Sequence, residues 1–224
     1  MKITGVAGTL HASVKINVDG ISINGNLVIP WKARRIVIFA HGSGSGRFSP
    51  RNRFVADELN KSDIATLLID LLTEEEERED EVTMEYRFNI DLLASRLVYA
   101  THFVNQDSRT KGLHVGYFGA STGAAAALVA AAQLPDIIEA IVSRGGRPDL
   151  AGEALNRVKA PTLLLVGGED LQVIDLNRQA LDKLTEAQNR ELVIITGATH
   201  LFEEPGKLEE VASHAVEWFK KYLG

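Results

Sequence analysis

Val14, Ile16 and Val18 alternate with Lys15 and Asn17, and after Asp19-Gly20 the residues Ile21, Ile23, Leu27 and Ile29 fall on one parity. A period of two puts successive side chains on opposite faces of a strand, and Asp-Gly tolerates the positive φ of a tight turn. The pattern therefore predicts a β-hairpin turning at Asp19-Gly20. Gly25 sits on the apolar parity of the second strand, which predicts a bulge or close packing, with Asn24-Gly25 as an alternative turn. From residue 36 onward the pattern changes to short apolar runs without alternation, at 36–40, 64–69, 113–118, 137–142, 162–166 and 191–195. Strands apolar on both faces are expected where helices cover both sides of a parallel sheet. The stretches 51–60, 89–105, 121–133, 175–184 and 205–222 read as those helices. Strand and helix alternating at this spacing predict a parallel α/β sheet with an antiparallel hairpin at its leading edge. No repeat, linker or composition shift divides the chain, so one domain spanning 1–224 is expected.

Composition narrows the chemistry. A chain of 224 residues, 45% hydrophobic and 24% charged, is long enough to bury a core without staples. It contains no cysteine, so disulfides, thiolate metal sites and a thiol nucleophile are excluded, and covalent catalysis would have to use oxygen or nitrogen. The net charge of −6 argues against a nucleic-acid partner, whose footprint is a clustered positive surface. Part of the acidity is local: Glu74, Glu75, Glu76, Glu77, Glu79, Asp80 and Glu81 are interrupted only by Arg78, and read as a solvated loop. The opening MKITGVAGTLHASVKINVDG lacks the apolar stretch of a signal peptide, and the longest small-apolar run, 124–132, is too short to span a bilayer. The expectation is a cytoplasmic protein with no membrane partner.

In an open parallel sheet, catalytic groups gather outside the carboxyl ends of the strands, where loops converge and helix amino termini point inward. Those ends carry His41-Gly42-Ser43-Gly44-Ser45-Gly46, Asp70, Gly119-Ala120-Ser121-Thr122-Gly123, Ser143-Arg144-Gly145-Gly146-Arg147, Gly167-Gly168-Glu169-Asp170 and Gly197-Ala198-Thr199-His200. The central piece is the G-x-S-x-G around Ser121. A sharp strand-to-helix turn pushes the serine hydroxyl out of the sheet edge, and glycines two residues to either side remove Cβ atoms that would collide there. The helix that follows aims free N–H groups at a developing oxyanion.

A serine hydroxyl needs a base to take its proton and an acid to orient that base. Of the six histidines, His102 and His214 fall in helices, His114 starts the strand whose far end bears Ser121, and His11 precedes the hairpin. His41 opens a glycine-rich loop, where support of that loop is its expected role. His200 is the one placed to reach Ser121. Behind the strand 162–166 the favoured acid is Asp170, with the adjacent Glu169 left open; Asp70 is the fallback, expected instead to be structural. The spacing of Gly42, Gly44 and Gly46 lacks the Gly-Lys-Ser/Thr ending of a phosphate-binding loop, and no cofactor or metal is expected.

The order Ser121, Asp170, His200 is that of the α/β-hydrolases, and the chain resembles that superfamily over nearly its whole length. Within it the sequence is most similar to small dienelactone-hydrolase-like proteins, on HGSGSGRFSPRN, DLLTEEEE, GYFGASTGAAAAL, VSRGGRPDLA, PTLLLVGGED and GATHLFEEPG. The resemblance implies a mostly parallel sheet of about eight strands with helices on both faces, and serine-type ester hydrolysis through an acyl-enzyme. It also implies an oxyanion hole from the backbone N–H groups of Thr122 and Ser43. Dienelactone hydrolases proper use a cysteine where this chain has Ser121, which argues against a dienelactone as substrate. Only 19 residues separate Val142 from Thr162, room for one short helix and no cap domain, so a small ester is expected. Arg47 follows the loop after 36–40, and Arg144 and Arg147 follow the strand 137–142; all three read first as solvated surface arginines, with binding of a substrate carboxylate by one of them as the alternative. Acyl transfer or perhydrolysis on the same triad, and a non-catalytic binding protein of this fold, are the alternatives.

Overall fold

The computed structural model describes residues 8–224; the first seven, which belong to the expected domain and to the opening stretch read for a signal peptide, lie outside the described residues. Strands β1 (Thr9–Val18) and β2 (Ile21–Pro30) form the hairpin, with Val18 opposite Ile21 and positive φ at Asp19 and Gly20. Gly25 is a close-packing position inside β2, not a turn. A Cβ there would stand 3.0 Å from both Leu67 Cδ1 and Val14 Cγ2. His11 lies within β1, which starts earlier than the alternating pattern showed.

The other strands are β3 (Arg35–Ala40), β4 (Ile64–Ile69), β5 (His114–Ala120), β6 (Ile138–Arg144), β7 (Thr162–Gly167) and β8 (Arg190–Ile195). They join in one eight-stranded sheet of order β1-β2-β4-β3-β5-β6-β7-β8. Among the described residues only β1 with β2 and β2 with β4 are antiparallel; every pair from β4 to β8 is parallel. The reason for the unbroken apolar runs is visible in β3, where Ile36 and Ile38 enter one core and Val37 and Phe39 the core on the opposite face. Helices α3 (Ile90–Gln106) and α4 (Thr122–Gln133) pack in the first core, and α1 (Pro50–Lys61) and α6 (Lys207–Tyr222) in the second.

The chain leaves β3 toward β4 on one side and later returns to β5 on the other. The order therefore reverses between β3 and β5, and the loops after these two strands diverge around a crevice, the place where such sheets bind ligands. The connection from β6 to β7 holds only two short 3₁₀ turns within Pro148–Arg157, kinked at Gly152, in keeping with the absence of a cap domain.

The acidic run is not a loop. Glu74–Thr83 forms helix α2, started by a capping box in which the Thr73 hydroxyl accepts from the Glu76 N–H and the Glu76 carboxylate accepts from the Thr73 N–H. Four glutamates in its first turn sit where the helix dipole favours negative charge. Helix α5 (Leu171–Lys183) also starts four residues before the expected 175, directly after Asp170. No helix among the described residues is long and apolar enough to cross a membrane.

Candidate active site

Ser121 stands alone between β5 and α4 with φ 51° and ψ −123°, a backbone conformation that costs a non-glycine residue about 1–3 kcal/mol. Its surroundings hold it there. The Ser121 N–H donates to the Arg144 carbonyl at 3.3 Å, and the Ser121 carbonyl accepts from the N–H groups of Arg147 at 3.0 Å and Ala124 at 3.1 Å. The flanking glycines are required by contact: a Cβ on Gly119 would run into the Ala124 backbone, and one on Gly123 into the carbonyl oxygens of Ala40 and His41. Helix α4, with seven alanines in twelve residues, is a strong helix former whose small side chains let it lie against the sheet.

His200, in the loop after β8, points its Nδ1 at Asp170, donating to Oδ2 at 2.6 Å. This pairing also rests on a glycine. A Cβ on Gly167, at the end of β7, would come within 2.5 Å of the Ala198 and Thr199 carbonyl oxygens, so glycine lets the histidine loop close onto the acid. Glu169, the alternative acid, is exposed. Ser121 and His200 line one cavity of about 260 Å³, together with Ser43, Arg51, Asn52 and Arg144.

The loop after β3 packs against the same serine: a Cβ on Gly42 would be 3.0 Å from that of Ser121. The Ser43 and Thr122 hydroxyls share a hydrogen bond at 3.1 Å. His41 underpins the loop from a buried position, its Nδ1–H donating to the Gly42 carbonyl at 2.9 Å and its Nε2 accepting from the Leu71 N–H at 2.9 Å. Burial holds its pKa below the ordinary imidazole value, the Gly42 bond opposing only in part. Asp70, the fallback acid, is instead engaged by Arg47, accepting from its backbone N–H at 2.8 Å and pairing with its guanidinium. A second cavity, of about 560 Å³, lies along the same loop and reaches Thr122, Asp70 and Glu77.

The sequence model of the dienelactone hydrolase family matches residues 32–223. The chain belongs to the dienelactone hydrolase family. The crystal structure of a dienelactone hydrolase from Anabaena variabilis superposes with a TM-score of 0.94 at 58% identity, covering 97% of this chain and all of that one. A putative phosphoribosyl transferase of Mycobacterium tuberculosis H37Rv is 52% identical over 210 residues, 94% of this chain and 46% of that protein. The chain thus spans about half the length of the curated relatives it matches. Est1E from Butyrivibrio proteoclasticus shares the fold, with a TM-score of 0.77 at 18% identity over 93% of this chain and 98% of that one. Membership of the dienelactone hydrolase family supports a hydrolase.

The three arginines singled out from this family member's sequence prove unlike one another. Arg47 is taken by Asp70, and Arg147 donates twice to Asp149, at 2.8 and 2.7 Å. Arg144 lies in the wall of the cavity that holds Ser121 and His200. Arg51 and Asn52, which enter that cavity from the first turn of α1, were missed in the sequence, because nothing at that helix start marks which way it faces.

Proposed function

We propose that this protein is a serine hydrolase of small carboxylic esters, working through an acyl-enzyme. The observation that carries the reading is the 2.6 Å bond from His200 Nδ1–H to Asp170, in a loop that shares a cavity with a strained, partly exposed serine. With Nδ1 committed to Asp170, the unprotonated Nε2 is the base available to Ser121. The Ser121 Oγ attacks the ester carbonyl as Nε2 takes its proton. The tetrahedral oxyanion is received by the Thr122 N–H, at the free amino end of α4, and by the Ser43 N–H. Losing one such donor typically costs about 3 kcal/mol of transition-state stabilisation.

His200 then gives its proton to the alkoxide leaving group, and the acyl group stays on Ser121. Water, deprotonated by the same Nε2, attacks the acyl carbonyl and restores the hydroxyl. The two cavities that share the loop after β3 offer separate places to the acyl and alcohol parts, and their size and the lack of a cap favour small esters. The phosphoribosyl transferase name belongs to chains more than twice the matched length.

The test is labelling with a fluorophosphonate, read by intact mass. A single adduct that is absent from Ser121→Ala is expected. A folded wild type that takes up no label would overturn the proposal.

A further inference from the structure

Among the three arginines near the site, Arg144 alone has no carboxylate, although it is the most deeply placed. The residue is 7% exposed, and among the described residues its guanidinium makes one hydrogen bond, a long one, Nη2 to Asn52 Oδ1 at 3.5 Å. Its Nε and Nη1 are buried with no partner among the described residues. The Phe202 ring, 6.0 Å away, offers a face at the outer limit of a cation–π contact and accepts none of these hydrogens. Nearby Arg51 adds a second guanidinium. One of its ends pairs with Glu203 at 2.8 Å, while its Nε is also buried and unpartnered.

A buried charge without counter-ion is costly, and two cations facing one small cavity compound that cost. The effect registers in Arg144, whose pKa is drawn down to about 10 by burial and by the charge of Arg51. The group is still a cation at neutral pH. What would satisfy it is an anion bearing two or more oxygens, matched to the guanidinium fork.

We propose that this cavity is an anion subsite, in which Arg144, supported by Arg51, receives a carboxylate or phosphate group carried by the ester substrate while its carbonyl lies against Ser121. The inference rests on Ser121 being the nucleophile only in that last clause; anion binding itself does not. The geometry separates Arg144 from Arg47 and Arg147, whose guanidinium groups are already neutralised within the chain.

Two measurements test it on the intact protein. The first is thermal stability with glutarate or inorganic phosphate added, for the wild type, Arg144→Gln and Arg144→Lys. The expected result is a rise in Tm with at least one of the two anions, lost in Arg144→Gln and partly kept in Arg144→Lys. Glutarate alone acting would assign a carboxylate, and phosphate alone a phosphate group.

The second is the ratio of kcat/KM for an anionic ester to that for its neutral counterpart, with the charge on the acyl side (4-nitrophenyl glutarate monoester against 4-nitrophenyl pentanoate) or the alcohol side (4-acetoxybenzoate against its methyl ester). For one pair the ratio should fall on the order of tenfold or more in Arg144→Gln, the worth of a charge-assisted hydrogen bond. Fluorophosphonate labelling of the same variant shows that it is folded. A Tm rise and a ratio that both survive Arg144→Gln, or a labelled wild type with neither response, would overturn the subsite. A wild type stabilised by anion through Arg144 yet never labelled would instead sink the serine mechanism and leave the subsite standing.

Discussion

His41 couples the stability of the loop after β3 to pH in a way that can be worked from its two bonds. In the folded protein it is neutral, with Nδ1–H donating to Gly42 and Nε2 accepting from Leu71, which is itself fully buried. Protonation would place a hydrogen on Nε2, turn the Leu71 N–H against another donor and charge a buried ring. Its pKa is therefore depressed in the fold and ordinary, near 6.5, in the unfolded chain. The stability that follows from this is fully present above pH 6.5. As pH falls below 6.5, the unfolded chain takes up a proton that the folded one refuses, and stability drops by about 1.4 kcal/mol per pH unit until the folded pKa is reached. His41→Ala removes that titration. It also leaves the Leu71 N–H without an acceptor and opens a ring-sized void, a loss of roughly 3–5 kcal/mol at pH 7.5. Urea unfolding of both proteins from pH 7.5 to 5 should show the gap between them narrowing below pH 6.5. A gap that stays constant, or widens, would refute a neutral His41 as the prop of this loop.

Asp170→Asn leaves the shape of the acid but takes away the charge that orients His200, and kcat for ester hydrolysis should fall on the order of 10⁴-fold, whereas Glu169→Gln, on an exposed side chain, should stay within about twofold. Ser121→Gly relieves the positive φ of that residue and should raise stability to urea by about 1 kcal/mol while abolishing hydrolysis; an unchanged midpoint would mean that the turn is not strained. Gly123→Ala drives a methyl group into the carbonyls of Ala40 and His41 and should cost about 3 kcal/mol or more, measured in the same way, whereas Gly44→Ala meets no atom within 4 Å and is opposed only by its backbone angle.

What could be read from the sequence was whatever local pattern enforces. The hairpin turn at Asp19-Gly20 and the two-faced strands were visible because side-chain period and turn chemistry act over a few residues. The turn at Ser121 was visible because its glycines are demanded by contacts made within the same strand–helix unit and by the neighbouring strand. Helix α2 was hidden for a physical reason: it buries only Asp80 along its length, so it carries no apolar stripe, and capping and dipole alone announce it. The fate of the arginines was hidden for another. Arg147 finds Asp149 two residues on, but Arg47 finds Asp70 across the sheet edge, and the isolation of Arg144 is a property of the assembled cavity. Glu169 and Asp170 were indistinguishable by spacing. They are separated only by how the loop after β8 folds over Gly167 to bring His200 onto one of them.

The measurement that bears most directly on Ser121 as the nucleophile is the mass of the protein during the first turnovers of 4-nitrophenyl acetate, taken alongside the release of 4-nitrophenol. An acyl-enzyme on Ser121 requires a burst of nitrophenol matched by one acetyl group on the protein, mapped by peptide digestion to Ser121, and neither burst nor adduct in Ser121→Ala. Steady turnover with no acetyl on Ser121, or an adduct that persists in Ser121→Ala, would contradict it.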